Sequence, residues 1–146
     1  MSENILIEGP VSQAVILNGL DGFNQYPDAG GISIFIGKVR NDVVSGKYVQ
    51  AIEYSAYEAL VIKEAEKIFS SVKEEFPEVK LIKVFHSVGI VNAGEISMAA
   101  IVAAIHRDQA MQACKKIVEL VKVKLPIWKK EIYTDLTYMW KQDNLA

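Results

Sequence analysis

Cysteine is nearly absent from this chain. Cys114 stands alone, so no internal disulfide can form, and with two histidines in the whole sequence no Cys/His zinc cluster is available. The thiol falls on an apolar helical stripe, where a small free cysteine is usually buried and inert, which makes it a poor nucleophile candidate. Long hydrophobic runs are missing too: Met98 to Ile105 is the longest strictly apolar stretch, far below the roughly 20 residues that a membrane span needs. Met1-Ser2-Glu3-Asn4 has no basic n-region, and with the missing span this leads us to expect a soluble cytoplasmic protein with no membrane partner. Charge of one sign is not in excess. The 16 basic and 18 acidic residues leave a formal net charge of −2 and no general drive toward nucleic acid, so any anion binding has to be local. Neither GxGxxG nor GxxxxGK(S/T) occurs, which removes the simple dinucleotide and P-loop readings. No obvious carboxylate ligand set is present, so neither a metal nor a cofactor is expected.

What is present is apolar. Hydrophobic residues make up 51% of the chain and the mean hydropathy is +0.16, slightly high for a soluble monomer, so part of the surface is expected to be covered in an oligomer. A length of 146 residues suits one domain spanning 1–146.

Glu3 to Glu8 reads as a short strand ended by Gly9-Pro10, and Ser12 as the cap of a short helix covering Val15, Ile16 and Leu20. A Gly/Asn/Pro/Asp-rich connection follows, from Gly19 to Gly31. In GGISIFIGKVRN, Ile32, Ile34 and Ile36 alternate with Ser33 and Phe35, which predicts a strand buried on one face that delivers Lys38 and Arg40 to its end. Asp42 to Lys47 reads as a loop with Ser45-Gly46 at its tip and Val49 to Tyr57 as the antiparallel return, together a hairpin with a basic base. Glu58 to Phe76 carries apolar residues at helical spacing and is closed by Pro77. Val79 to Val88 and Glu95 to Ile105 read as strands joined through Asn92-Ala93-Gly94; the second is apolar throughout and therefore central. His86 reads as a satisfied sheet residue. Ile127 to Thr134 is the last strand, and Asp135 onward a short capped helix or tail. This order predicts an α+β fold, a largely antiparallel sheet with two long helices packed on it.

The most informative stretch is His106 to Glu131, HRDQAMQACKKIVELVKVKLPIWKKE. Ala110, Ala113, Cys114, Ile117, Val118, Val121 and Leu125 recur at spacings of three and four, one apolar stripe of a helix. With Asp108 as its N-cap, His106 and Arg107 lie where free backbone N–H groups can hold an anion. Lys122 and Lys124 occupy the last turn, and Lys129 and Lys130 follow the break at Pro126. Each cation alone has an ordinary reading: a lysine in the last turn complements the helix dipole, worth about 0.3–1 kcal/mol, and Lys129 and Lys130 suit the solvent face of a strand. Taken jointly, Arg40 and Arg107 can clamp a phosphate, His106 can donate to it or relay a proton, and a lysine can act as nucleophile or acid/base. Many cations and few carboxylates suit a phosphorylated substrate and an anionic acyl or sulfur donor.

The sequences FIGKVRN, then HR at the mouth of a helix, then KxKxPxWKKE resemble in order and spacing the MoaE family, the large catalytic subunits of molybdopterin synthase, over nearly the whole chain. The resemblance implies an α/β-hammerhead type of fold and a sulfurtransferase of molybdenum cofactor biosynthesis. It implies that cyclic pyranopterin monophosphate is converted to molybdopterin by sulfur from the C-terminal Gly-Gly thiocarboxylate of a small ubiquitin-like, MoaD-like subunit. A homodimer would sit at the centre of a heterotetramer. Residue by residue, the family's essential lysine falls on Lys122 and its second active-site lysine on Lys129. Its substrate-binding residues fall on Arg40, His106 and Arg107, with Phe35 and Lys38 in the matching strand segment. Ile36 and Lys130 depart from the family pattern, and the tail after Trp140 carries Lys141 but no arginine. No catalytic thiol is required, because the sulfur arrives on the partner. An α-helix rises about 1.5 Å per residue, so Arg107 and Lys122 of one chain lie roughly 20 Å apart. That is too far for one small pterin and implies a site shared across the dimer, with His106 and Arg107 donated by the other subunit. Residue types alone leave two other readings open: a Schiff-base lysine enzyme acting on a phosphorylated carbonyl compound, and a non-catalytic anion-binding module.

Overall fold

The computed structural model describes residues 5–141. Within them the chain forms β1 (Leu6–Glu8), α1 (Gln13–Gly19), β2 (Gly31–Lys38), β3 (Val43–Val44), β4 (Lys47–Ala56), α2 (Glu58–Glu75), β5 (Val79–Asn92), β6 (Ile96–Ala104), α3 (Arg107–Lys124), β7 (Ile127–Tyr133) and β8 (Tyr138–Lys141). The strands make an eight-stranded sheet of order β2-β6-β5-β4-β7-β8, with β1 beside β5 and β3 beside β4. Only β1 and β5 pair in parallel. The fold is the expected α+β class. Among the described residues no helix is long and apolar enough to cross a membrane.

β5 joins the two halves of the sheet. Its first part, Val79 to His86, pairs with β6, and its last part, Gly89 to Asn92, pairs with β4. Gly89 separates them at φ +83°, a left-handed conformation in which a side chain would also strike the Glu8 carboxylate. The strand therefore bends where only glycine fits. β6 is central, as its uninterrupted apolar run predicts, and Met98 to Ala104 are buried. The helices α2 and α3 cover one face of β5 and β6. Val61, Ala65, Ile68 and Val72 of α2 meet Ala110, Ala113, Cys114, Ile117 and Val121 of α3 over Val84, Ala100 and Val102. On the opposite face, Ile16 of α1 and the following Phe23 cover Ala99 and Ile101. Ser12 caps α1 as expected, its Oγ accepting from the Val15 N–H at 3.2 Å.

Several expectations are corrected. β2 does not form a hairpin with β4: it pairs with β6 from Gly31↔Ala104 to Lys38↔Ile96, while β4 lies between β5 and β7. The small hairpin there is β3–β4, with Ser45 and Gly46 at positive φ at its tip, as the turn residues indicate. The β2 isoleucines are not on the buried face. Ile32, Ile34 and Ile36 are 48%, 42% and 45% exposed, and Ser33 and Phe35 are turned inward instead. Alternation identifies two faces without saying which is covered, and β2 proves to be an edge strand. Asp108 is not the N-cap; that position is His106, in extended conformation, its backbone N–H donating to Glu78 Oε1 at 3.1 Å. Asp108 sits in the first turn and accepts from Gln112. After Asp135 the chain forms neither a helix nor a loose tail at first, but β8, paired with β7. Glu3 and Asn4, expected in the opening strand, and the tail beyond Lys141 lie outside the described residues.

Candidate active site

Pro126 stops α3 and holds Leu125 in the extended conformation that a residue before proline favours (ψ 136°). The chain turns there into β7, and the last turn of the helix faces the end of β2 across a cleft of about 430 Å³. Lys122 enters from α3, Lys129 from β7, and Phe35 and Lys38 from β2, with Arg40 just beyond it. These five expected site residues therefore share one cavity. The β2–β6 register shifts between Gly37 and Lys38, skipping Ser97, which also lines the cleft. Such an irregularity bends a strand and re-aims its side chains. Gly37 leaves room for the Phe35 ring: a Cβ there would lie 3.2 Å from Phe35 Cε2.

The cleft is rich in positive charge. Lys38, Arg40, Lys122 and Lys129 face two carboxylates, Asp42 and Glu131. Asp42 pairs with Arg40 at 3.1 Å, an exposed contact of little energetic weight. Glu131 accepts from the Tyr133 hydroxyl at 3.0 Å and lies 3.7 Å from Lys141. Among the described residues, Lys38 and Lys122 have no ion-pair partner of their own. Lys130 points to the other side of β7, paired with Glu53 at 3.0 Å and lying against the Tyr138 and Trp140 rings.

His106 and Arg107 are elsewhere. They open α3 and line a separate hollow with Gly30, Ile105 and Asp108. His106 Nδ1 is 3.1 Å from Glu78 Oε1. Lys122 lies four turns along α3 from Arg107, which separates this hollow from it by the roughly 20 Å expected from helical rise. Within one chain the two sets of cations do not meet.

His86 is the satisfied sheet residue that its place in a strand predicts, and it is also a lining residue of the cleft that the sequence does not mark as one. It follows Ile82 and Val84 on the face covered by the helices, but lies where that cover ends, and it lines the cleft. Its Nδ1 is 2.8 Å from the Ser87 carbonyl oxygen, and its ring stands edge-on to Tyr54 with centroids 5.1 Å apart. No periodicity in the sequence marks it. Cys114 is buried as expected, and desolvation pushes its thiol up from the ordinary range.

A largely antiparallel sheet carrying two helices, with lysines and an arginine gathered where a helix end meets a strand end, defines an α+β protein with a cation-lined cleft. The chain belongs to the MoaE protein family, whose sequence model matches residues 10–124, a span that includes Lys122 and ends before Lys129. It is 36% identical over 135 residues to the molybdopterin synthase catalytic subunit of Rattus norvegicus, covering 92% of this chain and 62% of that protein. It is 39% identical over 117 residues to the subunit of the same name from Taeniopygia guttata, covering 80% and 74%. The chain thus spans a little under two thirds of the rat relative. Among solved structures, molybdopterin synthase from Staphylococcus aureus superposes with a TM-score of 0.83 at 26% identity, covering 97% of this chain and 98% of that one. A complex of subunits 1 and 2 of molybdopterin-converting factor from Helicobacter pylori shares the fold, with a TM-score of 0.76 at 23% identity.

Proposed function

We propose that this chain is the catalytic subunit of a molybdopterin synthase, a cytoplasmic sulfurtransferase of molybdenum cofactor biosynthesis formed by one domain, 1–146. The observation that carries the reading is the convergence of Phe35, Lys38, Arg40, Lys122 and Lys129 from separate elements on one cleft. The substrate is cyclic pyranopterin monophosphate, and the sulfur donor is the C-terminal Gly-Gly thiocarboxylate of a small ubiquitin-like subunit. An extended diglycine tail is slim enough to enter between the last turn of α3 and β7. Lys122 and Lys129 hold its thiocarboxylate and stabilise the negative charge that develops as sulfur attacks the pterin side chain. Arg40 and Lys38 bind the anionic substrate.

The phosphate clamp of His106 and Arg107 comes from a second copy of the chain. β2 supports this arrangement, since it runs beside α3 from Arg107, against which Gly31 packs, to Lys38 in the cleft. Among the described residues it has no strand on its outer side, and it exposes Ile32, Ile34 and Ile36. Two copies meeting antiparallel along β2 about a two-fold axis near Ile34 cover these isoleucines. They also bring Arg107 of each copy to the Lys38 end of the other. This dimer, with a small subunit at each cleft, is the centre of a heterotetramer.

The test is to mix the purified protein with thiocarboxylated small subunit and cyclic pyranopterin monophosphate and assay the dithiolene product. Product is expected. Binding without turnover in the complete mixture would leave an anion-binding module. Borohydride trapping of substrate on Lys122 without any partner would instead mark a Schiff-base enzyme.

A further inference from the structure

We propose that Ser97 is a substrate-binding residue of the cleft, its hydroxyl hydrogen-bonding a polar edge of the substrate's fused ring, an inference that rests on the sulfur-transfer reading above. Strand alternation alone would hide this side chain. Its neighbour Met98 lines the cleft, so in a regular strand Ser97 would face the other side of the sheet. The pairing of β2 with β6 passes from Gly37↔Met98 to Lys38↔Ile96, and the skipped residue is Ser97. A bulge of this kind sets two successive residues opposite one and re-aims their side chains, and here both Ser97 and Met98 line the cleft.

The hydroxyl is placed for a ligand. Ser97 is only 7% exposed, and no described residue hydrogen-bonds its Oγ. Ser87, the other buried serine, has its Oγ sealed inside the protein; the Ser97 Oγ is not sealed in this way, and its open side is the cleft. A hydroxyl so enclosed can donate to a ring nitrogen or carbonyl, or accept from a ring N–H. Its surroundings select the chemistry of that partner. Phe35, whose ring lies against Gly37, and Met98 offer apolar surface, and Lys38 offers a cation on the next strand. A flat ring with polar edges and an attached phosphate matches this set. The donor tail does not. In the sheet order β2-β6-β5-β4-β7, Ser97 is beside β2 while Lys129 is three strands away, about 14 Å at a strand spacing of ~4.8 Å. A thiocarboxylate held at Lys129 is out of reach of Ser97, and the substrate ring spans the space between.

The experiment titrates wild-type protein, Ser97→Ala, Ser97→Thr and Ser97→Val with cyclic pyranopterin monophosphate in the absence of the small subunit. It then measures kcat and KM for dithiolene formation in the complete mixture. Threonine and valine have the same shape and differ in the hydroxyl, so comparing them separates the hydrogen bond from crowding by the added methyl group. The Kd should be about five-fold higher for Ser97→Ala than for wild type, and for Ser97→Val than for Ser97→Thr, the worth of one neutral hydrogen bond. KM for the substrate should rise in step, with kcat and the KM for the small subunit unchanged. Inorganic phosphate, which meets only the cations, should bind wild type and Ser97→Ala alike. Wild-type affinity in Ser97→Ala, or equal affinities in the threonine and valine variants, overturns the proposal. So does a joint fall in substrate affinity, phosphate affinity and kcat, which is the mark of a purely structural role. If the wild type itself forms no product in the complete mixture, the sulfur-transfer function falls, and this proposal with it.

Discussion

Gly31 lies against Arg107 so closely that a Cβ on the glycine would stand 2.9 Å from the arginine Cα. This contact fixes the start of β2 to the start of α3, and the two elements end together at the cleft holding Lys38 and Lys122. The proposed phosphate clamp at Arg107 and the proposed reaction site at Lys122 are thus held apart in one chain by β2 and α3, and the two-fold pairing proposed above is what would bring them together.

That geometry predicts complementation between two inactive proteins. Lys122→Ala and Arg107→Ala homodimers each lack one half of every site. After subunit exchange, each mixed dimer regains one intact site, so about a quarter of wild-type activity should return in an equal mixture. Dithiolene formation after mild dissociation and reassociation measures this. No recovery, with exchange verified by mass, would place both residues in one chain's own site.

Cys114 lies on the buried face of α3 with its thiol 3.9 Å from the Ala100 carbonyl oxygen, and burial pushes its pKa up. It should resist thiol reagents in the folded protein and react on unfolding. Cys114→Ala should keep full dithiolene formation while losing on the order of 1 kcal/mol of stability, as for a small buried group removed. Chemical denaturation with and without a thiol probe checks both halves.

Asp135 stabilises the turn into β8. Hydrogen bonds from Thr137, with help from Lys47, lower its carboxyl pKa from 3.8 to about 2. A carboxylate with a lowered folded-state pKa contributes stability that is present above its unfolded value and is lost as pH falls through the folded one. The contribution should therefore fade between roughly pH 4 and pH 2. Asp135→Asn should flatten that part of the urea-midpoint profile and leave the midpoint near neutrality only slightly lowered.

Much of this was legible in the sequence, for identifiable reasons. The α3 stripe follows from a period that a helix imposes on its own residues, and Ile117, Val121 and Leu125 are buried where that period puts them. The central place of β6 follows from a strand apolar on both faces. The exposure of Ile34 was not legible, since it depends on β6, far along the chain, taking the place expected for β4. Asp108 has the better capping side chain, yet Glu78 from the loop before β5 holds the His106 N–H and starts the helix earlier. Likewise His86 becomes a cleft residue only because the covering helices stop short of it. The cations were read as a charge pattern; their convergence needed the fold.

The most direct test of the account is the complete reaction mixture run with Lys122→Ala. The lysine lies at an exposed helix end and carries no buried contact of the core, so the variant should keep its circular dichroism spectrum and its binding of the small subunit. Dithiolene formation should fall below detection. Wild-type product from a folded, partner-bound Lys122→Ala protein would contradict the assignment of this cleft as the sulfur-transfer site.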